Sequence, residues 1–167
     1  MNKPKAVSVR VNNEFLLVTS IIRGMIGMTD PDQDFVFNKV DITDSYFGKL
    51  VKEKLDESRE VSLQEFQAIF NSEKMKGLQK NLEEEMKKRY GYKNKKSIYK
   101  DMSFLSLEQE ASFIIIAPLH QDSLGGYSGI SLPDNSPLEF KYDKNISDEE
   151  LGKAIRQALT YCTSIYR

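Results

Sequence analysis

The chain has 167 residues, a formal net charge of −1 and a single cysteine. A chain of this length buries about 70% of the surface that it exposes when unfolded, so it needs no disulfide or metal to hold a core, and we expect a single domain over residues 1–167. No apolar stretch approaches the ~20 residues of a membrane span, and residues 1–10 lack the apolar segment of a signal peptide. Together with the lone cysteine, this favours a protein of the reducing cytoplasm that makes no contact with a membrane.

The N-terminal segment predicts a β-hairpin followed by a loop. Valine alternates with polar residues over residues 7–11, Asn12-Asn13 supplies a turn, and a more uniformly apolar run begins at Phe15. Residues 23–34 are rich in glycine and aspartate, which is typical of a loop. We expect the apolar stretch 25–28 within this loop to lie under the edge of the domain.

After a short strand expected at residues 35–37, three amphipathic helices are predicted. Thr43 or Asp44 can cap the first, Ser62 caps the second, and Gly91 can end the third in the left-handed conformation. Each helix carries its apolar residues on one face. These faces comprise Phe47, Leu50, Val51 and Leu55, then Leu63, Phe66, Ile69 and Phe70, and finally Met75, Leu78, Leu82, Met86 and Tyr90.

The C-terminal third predicts the centre of a sheet. The β-branched run 113–117 ends at Pro118, which indicates a central strand buried on both faces, and another strand is expected at 102–107. Beyond the turn at Gly125-Gly126, two further strands are expected. They span residues 127–132 and 138–142 and are separated by a cluster of turn-forming residues.

The last helix has the clearest start signal in the chain. Ser147 is its predicted N-cap and Glu150 completes a capping box. Its apolar face is predicted to cover the sheet and consists of Leu151, Ala154, Ile155, Ala158, Leu159 and Cys162. The order of elements predicts an α+β fold, a single domain in which a mostly antiparallel β-sheet packs against about four α-helices.

Residues suited to catalysis or metal binding are sparse. His120 is the only histidine, and it lies near Asp122 and a glycine-rich turn, which leaves a small-molecule enzyme as one open alternative. One histidine and one cysteine do not make a usual zinc site, and the aspartates at 30–34 lack the glycine and distal glutamate of a calcium loop. We therefore predict no catalytic, cofactor or metal site.

A basic segment at residues 87–100 offers a second alternative. It carries seven basic residues and no acid, with three interleaved tyrosines, a pattern that binds single-stranded nucleic acid through charge and stacking. Three of its cations also have glutamates four residues earlier on the third helix. Because the net charge of the chain is −1, nucleic acid is the less favoured partner.

Two stretches of sequence resemble a known family. They are the segment 90–102, with Tyr90-Gly91-Tyr92-Lys93 at its start, and the helix 148–159, with Glu150-Leu151-Gly152 in its first turn. Together with the apolar strand between them, they are similar to bacterial contact-dependent growth inhibition (CDI) immunity proteins, a family first described as a domain of unknown function. The resemblance implies a non-enzymatic protein that binds and neutralises the C-terminal toxin domain, typically a nuclease, of a surface-delivered effector.

If the partner is a nuclease, its positive surface favours an acidic inhibitor. The acids of this chain are concentrated in two clusters, and we predict that both bind the partner. The competing interpretation is that they are solvated turns, in which case an added toxin strand could pair with the sheet edge instead. The predicted partner-binding residues are Asp30, Asp32, Asp34, Asp134, Glu139 and Asp143.

Overall fold

The computed structural model describes residues 3–167, and this part of the chain contains nine strands and five α-helices. In chain order they are β1 (Lys5–Val11), β2 (Leu16–Arg23), β3 (Gly27–Thr29), α1 (Asp44–Glu57), β4 (Arg59–Glu60), α2 (Leu63–Phe70), α3 (Glu73–Tyr90), α4 (Lys95–Tyr99), β5 (Ser103–Gln109), β6 (Phe113–Gln121), β7 (Tyr127–Gly129), β8 (Phe140–Asp143), α5 (Asp148–Leu159) and β9 (Thr163–Ser164). The strands form one mostly antiparallel sheet along the order β3-β2-β1-β5-β6-β7, with β4 beside β2, and β8 and β9 beside β6. The predicted α+β class is confirmed.

The predicted N-terminal hairpin is present as β1 and β2. Val9 pairs with Val18 in an antiparallel register that continues from Ala6 to Val11. The Asn12 side chain builds the turn, because its Oδ1 accepts hydrogen bonds from the backbone N–H groups of residues 14 and 15 at 2.9 and 3.0 Å. This local bonding explains why the hairpin could be predicted from a short stretch of sequence.

The strand that we expected to end at Pro118 continues through the proline as part of β6. β6 exchanges neighbours there, since β8 pairs with it up to Ile116 and β7 pairs with it from Leu119 onward. Proline lacks the N–H that a sheet ladder uses, so it is tolerated in the gap between two partners. The central position is confirmed. The prediction of burial on both faces is wrong, because alternate residues such as Ile115 and Ala117 are partly exposed.

Helices α1 and α5 cover one face of the sheet and cross each other closely. Their apolar residues pack with the inward residues of β1, β2, β5 and β6 in one cluster, as the helical periodicity predicted. At the crossing, an added Cβ on Gly48 would lie 1.8 Å from the Asp148 carbonyl oxygen, and one on Gly152 would lie 2.0 Å from that of Asp44. The two glycines therefore set the distance between the helices. Cys162 does not share the α5 face as predicted, since α5 ends at Leu159.

The other face of the sheet is covered in part by α3 and α4. Phe15 and Leu17 of the hairpin region pack there with residues of both helices, and Phe15 stacks on Tyr90 with ring centroids 5.1 Å apart. The segment 95–99, for which the sequence predicted no helix, is the additional helix α4, and it begins with an Asn94 capping box. Residues 35–37 are not the predicted strand, because Phe35 and Phe37 pack against this apolar group of hairpin, α3 and α4 residues instead.

The stretch 23–34 is not wholly a loop. Residues 27–29 form β3, which pairs antiparallel with the end of β2. Met25 and Ile26, expected to lie under the edge of the domain, are 67% and 60% exposed. The expectation failed because the turn between β2 and β3 points these side chains outward, while a buried ring of α2, Phe66, occupies the space next to Gly24.

Candidate functional site

The first acidic cluster is organised around Asp30, which is a structural residue. The residue is 7% exposed. Its Oδ2 lies 3.2 Å from Nε of Arg59, and its Oδ1 accepts a hydrogen bond from the Asp32 backbone at 2.9 Å. The backbone N–H of Asp30 donates to Ser20 of β2 at 3.0 Å. Asp30 therefore shapes this turn and holds it against the sheet, and its carboxylate is already occupied.

The other two acids of this cluster point outward. Asp32 is paired with Nζ of Lys74 at 2.8 Å, and this hydrogen bond holds the pKa of Asp32 below its usual value. Asp34 is exposed, and its backbone oxygen accepts a hydrogen bond of 3.0 Å from Nζ of the buried Lys54. The turn is thus fastened to α1, α3 and the strand β4, and it offers the Asp34 carboxylate to solvent.

A groove of about 420 Å³ runs between this acidic turn and α3. Its lining combines apolar residues, including Phe35, Phe37 and Leu78, with charged groups. Arg89 forms one side of the groove, with its guanidinium over the Phe37 ring at 5.2 Å and its Nε bonded to Glu85 at 2.6 Å. The sequence did not predict this groove, because residues 31–37 and α3 lie far apart in the chain.

The second acidic cluster lies on the connection to β8 and at the end of that strand. Asp134, Glu139 and Asp143 are all exposed. Asp134 closes its own turn by accepting hydrogen bonds from the backbone and hydroxyl of Ser136, at 3.0 and 2.5 Å, and these bonds lower the pKa of Asp134. Asp143 accepts a backbone hydrogen bond from Asn145 at 2.8 Å. Both aspartates stabilise turns and still present charge to solvent.

The structure does not bring the two acidic clusters together. The first is attached to β2, the second belongs to β8, and β1, β5 and β6 lie between those strands. At the usual spacing of ~4.8 Å, the four steps from β2 through β1, β5 and β6 to β8 separate these two strands by about 19 Å. A partner that contacts both clusters must therefore span most of the sheet, whereas a smaller contact uses only one.

His120 is engaged in the structure of the sheet. Its Nδ1 lies 2.8 Å from Oγ1 of Thr163 in β9, and its backbone pairs with both β7 and β9. The nearby glycines form a tight turn, in which a Cβ on Gly126 would lie 2.3 Å from Oγ of Ser123. These contacts give His120 a structural partner, and they favour turn formation over substrate binding for the glycines.

The tyrosines of the basic segment are not available as a stacking surface. Tyr99 is 3% exposed, and its hydroxyl donates to Oε2 of Glu83 at 2.6 Å. Burial first, and then this hydrogen bond, raise the pKa of Tyr99. Tyr90 and Tyr92 pack against the apolar residues of α3, α4 and the hairpin region, and the Tyr92 hydroxyl accepts a hydrogen bond from Asn12 at 2.8 Å. Tyr99 thus lies in the interior and Tyr90 and Tyr92 are half-buried, while the lysines remain on the surface.

Among residues 3–167, no group of three or more histidine, cysteine, aspartate or glutamate side chains is arranged to hold a metal ion. None of the helices in that range is long and apolar enough to cross a membrane.

These features describe a small α+β protein whose candidate sites are surface clusters and open grooves. Residues 5–162 match the model of the CDI immunity protein family (CdiI), and the chain belongs to this family. It is 25% identical over 169 residues to the immunity protein CdiI-YPIII of Yersinia pseudotuberculosis serotype O:3 (strain YPIII), and the match covers 93% of each chain.

Solved structures show the same fold. A Neisseria meningitidis protein of unknown function matches with a TM-score of 0.86 and 19% identity over 97% of this chain and 98% of that one. A chain of a CdiA-CT/CdiI toxin and immunity complex from Y. pseudotuberculosis matches with a TM-score of 0.83 and 22% identity over 96% of this chain and 98% of that one. The family assigned from the segment 90–102 and the helix 148–159 is thus confirmed.

Proposed function

We propose that this protein binds the C-terminal toxin domain of a CDI effector and neutralises it in the cytoplasm, and that this toxin is a nuclease. The observation that carries the proposal is membership of the immunity family over residues 5–162. The match to a chain from a toxin and immunity complex supports a protein partner of the same kind. The physical reason for proposing a nuclease is the acidic surface of this chain.

The outward-facing acids supply the electrostatic part of the proposed recognition. A nuclease needs a positive surface for nucleic acid, and an inhibitor that presents carboxylates gains a faster approach to that surface. Asp34 offers an exposed carboxylate beside the groove, and Asp32 lies next to it. Asp30 contributes indirectly, by fixing the turn that positions both. The more distant Asp134, Glu139 and Asp143 form the second proposed contact.

The direct test is binding and protection. The toxin domain encoded beside this gene is expected to co-purify with the chain, and a stoichiometric amount of the chain is expected to stop that domain from degrading RNA or DNA. Absence of a complex would refute the proposal. A complex with a toxin domain that degrades neither nucleic acid would retain the immunity function and refute the nuclease assignment.

The acidic surface is tested by association kinetics. Reversing Asp32 and Asp34 together to lysine is expected to slow association with a catalytically inactive toxin domain about tenfold at low salt, with a smaller effect as ionic strength rises. Reversing Glu53 and Asp56 together to lysine, which changes two exposed acids of α1, is the matched control. Glu139→Lys tests the second cluster in the same way. An association rate that responds equally to the control and to the cluster variants would exclude specific steering.

A further inference from the structure

The groove between the first acidic cluster and α3 exposes apolar surface. Phe35, Phe37 and Leu78 line it, and each of them packs against the apolar residues of the hairpin region, α3 and α4. All three remain partly exposed in the free chain. The volume of about 420 Å³ is enough for one long side chain of another protein. Such a side chain would cover apolar surface that the chain itself leaves open to water.

The charges along this groove are unequal. Three acids and two basic residues line it, so it carries one net negative charge. Asp32 is paired with Lys74 at 2.8 Å, and Glu85 is paired with Arg89 at 2.6 Å. Asp34 is the third acid.

The Asp34 residue is exposed, although a buried cation lies beside its backbone. Nζ of Lys54 donates to the backbone oxygen of Asp34 at 3.0 Å, and the charge of Lys54 is paired with Glu57 at 3.3 Å. None of the ion pairs within residues 3–167 uses the Asp34 carboxylate. The backbone of Asp34 is therefore held in place while its charge remains available to a partner.

Arg89 shows how this groove holds a guanidinium. It lies over the Phe37 ring, 5.2 Å from the centroid, while its Nε is bonded to Glu85 at 2.6 Å. A planar guanidinium can stack on a ring and bond to a carboxylate at the same time, which a strongly hydrated ammonium does less well. Phe35 and Asp34 offer a second ring and a second carboxylate in the same groove. No cation within residues 3–167 lies over the Phe35 ring.

We propose that this groove receives an arginine side chain of the toxin domain, which packs against Phe35 and Leu78 and bonds to the Asp34 carboxylate. An apolar side chain in the same place would bury that carboxylate without a partner, and an acidic one would be repelled by it. The inference rests on the proposed binding of a toxin domain, but it does not require that the toxin is a nuclease. It adds to long-range electrostatic attraction a contact that is buried in the complex.

The first test removes the charge of Asp34 and keeps the shape of the side chain. Asp34→Asn is expected to weaken binding of a catalytically inactive toxin domain about 30-fold or more, mainly through faster dissociation, because the arginine would be buried without its partner. The effect should persist at high salt, since a buried pair is screened less than an exposed one. Asp56→Asn, which removes an exposed acid of α1, is the matched control, and it is expected to change the dissociation constant less than about threefold.

The second test fills the groove from within the chain. Asn81 of α3 is exposed and lines the groove, so the new side chain of Asn81→Arg can occupy it and repel the toxin arginine. This variant is expected to weaken binding about 30-fold or more. The matched control, Gln157→Arg, adds the same charge at an exposed position of α5 and is expected to change the dissociation constant less than about threefold. Because both positions lie on a helix surface, both melting temperatures are expected to stay within about 2 °C of the wild type.

The toxin side of the contact is found by changing its arginines and lysines one at a time to glutamine. One arginine change is expected to weaken binding as much as Asp34→Asn does, with no further loss when the two are combined. Lysine in place of that arginine is expected to restore only part of the binding, because an ammonium lacks the planar set of donors.

Three outcomes would overturn the inference and leave the proposed function standing. If Asp34→Asn binds as tightly as the wild type, or if its effect disappears at high salt, the carboxylate makes no buried contact. If Asn81→Arg and Gln157→Arg weaken binding equally, the toxin domain does not occupy the groove. If a toxin lysine or no basic residue couples to Asp34, the occupant is not an arginine. A wild-type chain that fails to bind the toxin domain at all would refute the proposed function and this inference with it.

Discussion

The crossing of α1 and α5 predicts a large effect from the addition of one methyl group. In Gly152→Ala, the new Cβ would lie 2.0 Å from the carbonyl oxygen of Asp44 and 2.7 Å from its carbon, which is backbone and cannot rotate away. Overpacking of this kind costs about 1–3 kcal/mol, and contact with fixed backbone places it at or above the upper end. Alanine recovers about 1 kcal/mol of helix propensity, so the expected net loss is about 2 kcal/mol.

The matched control is Gly77→Ala on α3. There a Cβ meets only the Asn81 side-chain nitrogen, at an ordinary 3.6 Å, so the same substitution is expected to stabilise the chain by up to about 1 kcal/mol. Circular dichroism in urea and on heating would measure both. Gly152→Ala is expected to lower the melting temperature by about 4–8 °C. If both variants become more stable, the close approach of the helices does not exist in solution.

Three further predictions concern single residues. Ser147→Ala is expected to reduce the free energy of unfolding by about 1 kcal/mol, because the Ser147 hydroxyl accepts a hydrogen bond of 3.1 Å from the Glu150 backbone. An unchanged midpoint of urea unfolding would contradict this role of Ser147. Cys162→Ala is expected to cost about 1 kcal/mol and to leave protection against the toxin intact, so a stable variant that fails to protect would show a functional thiol. Burial raises the pKa of Tyr127 to about 12, so the folded state keeps the hydroxyl proton at a pH where the unfolded state has lost it. The free energy of unfolding should therefore fall between about pH 10 and 12, and it should fall less steeply in Tyr127→Phe. Unfolding curves recorded at alkaline pH would measure both.

Local signals in the sequence predicted the elements whose stabilising contacts are also local. Thr43 and Ser147 are the observed N-caps of α1 and α5, and Gly91 ends α3 with a φ of 74°. The apolar faces of these helices followed from their spacing alone. In each case the decisive hydrogen bond or backbone angle involves residues within one helical turn, so no knowledge of the rest of the fold was needed.

The features that were missed depend on residues far apart in the chain. β3 is defined by its pairing with β2, and the continuation of β6 through Pro118 depends on where β7 and β8 begin and end. Gly48 is unremarkable in its own helix until α5 crosses it. In the candidate site, the acids were identified from their clustering in the sequence, whereas the ion pair between Asp30 and Arg59 could not be predicted, because the two residues are far apart in the chain.

The pairing of β1 with β5 has a consequence for the newly made chain. Val9 pairs with Val18 as soon as the hairpin can form, but its other neighbour, Leu105, is synthesised long afterwards. At a synthesis rate of about 5–20 residues per second, one edge of β1 stays without its partner for roughly 5–20 s on the ribosome. An unpaired, valine-rich edge is a template for association with other strands. Chaperone protection during translation is therefore expected to matter most between the emergence of β2 and that of β5.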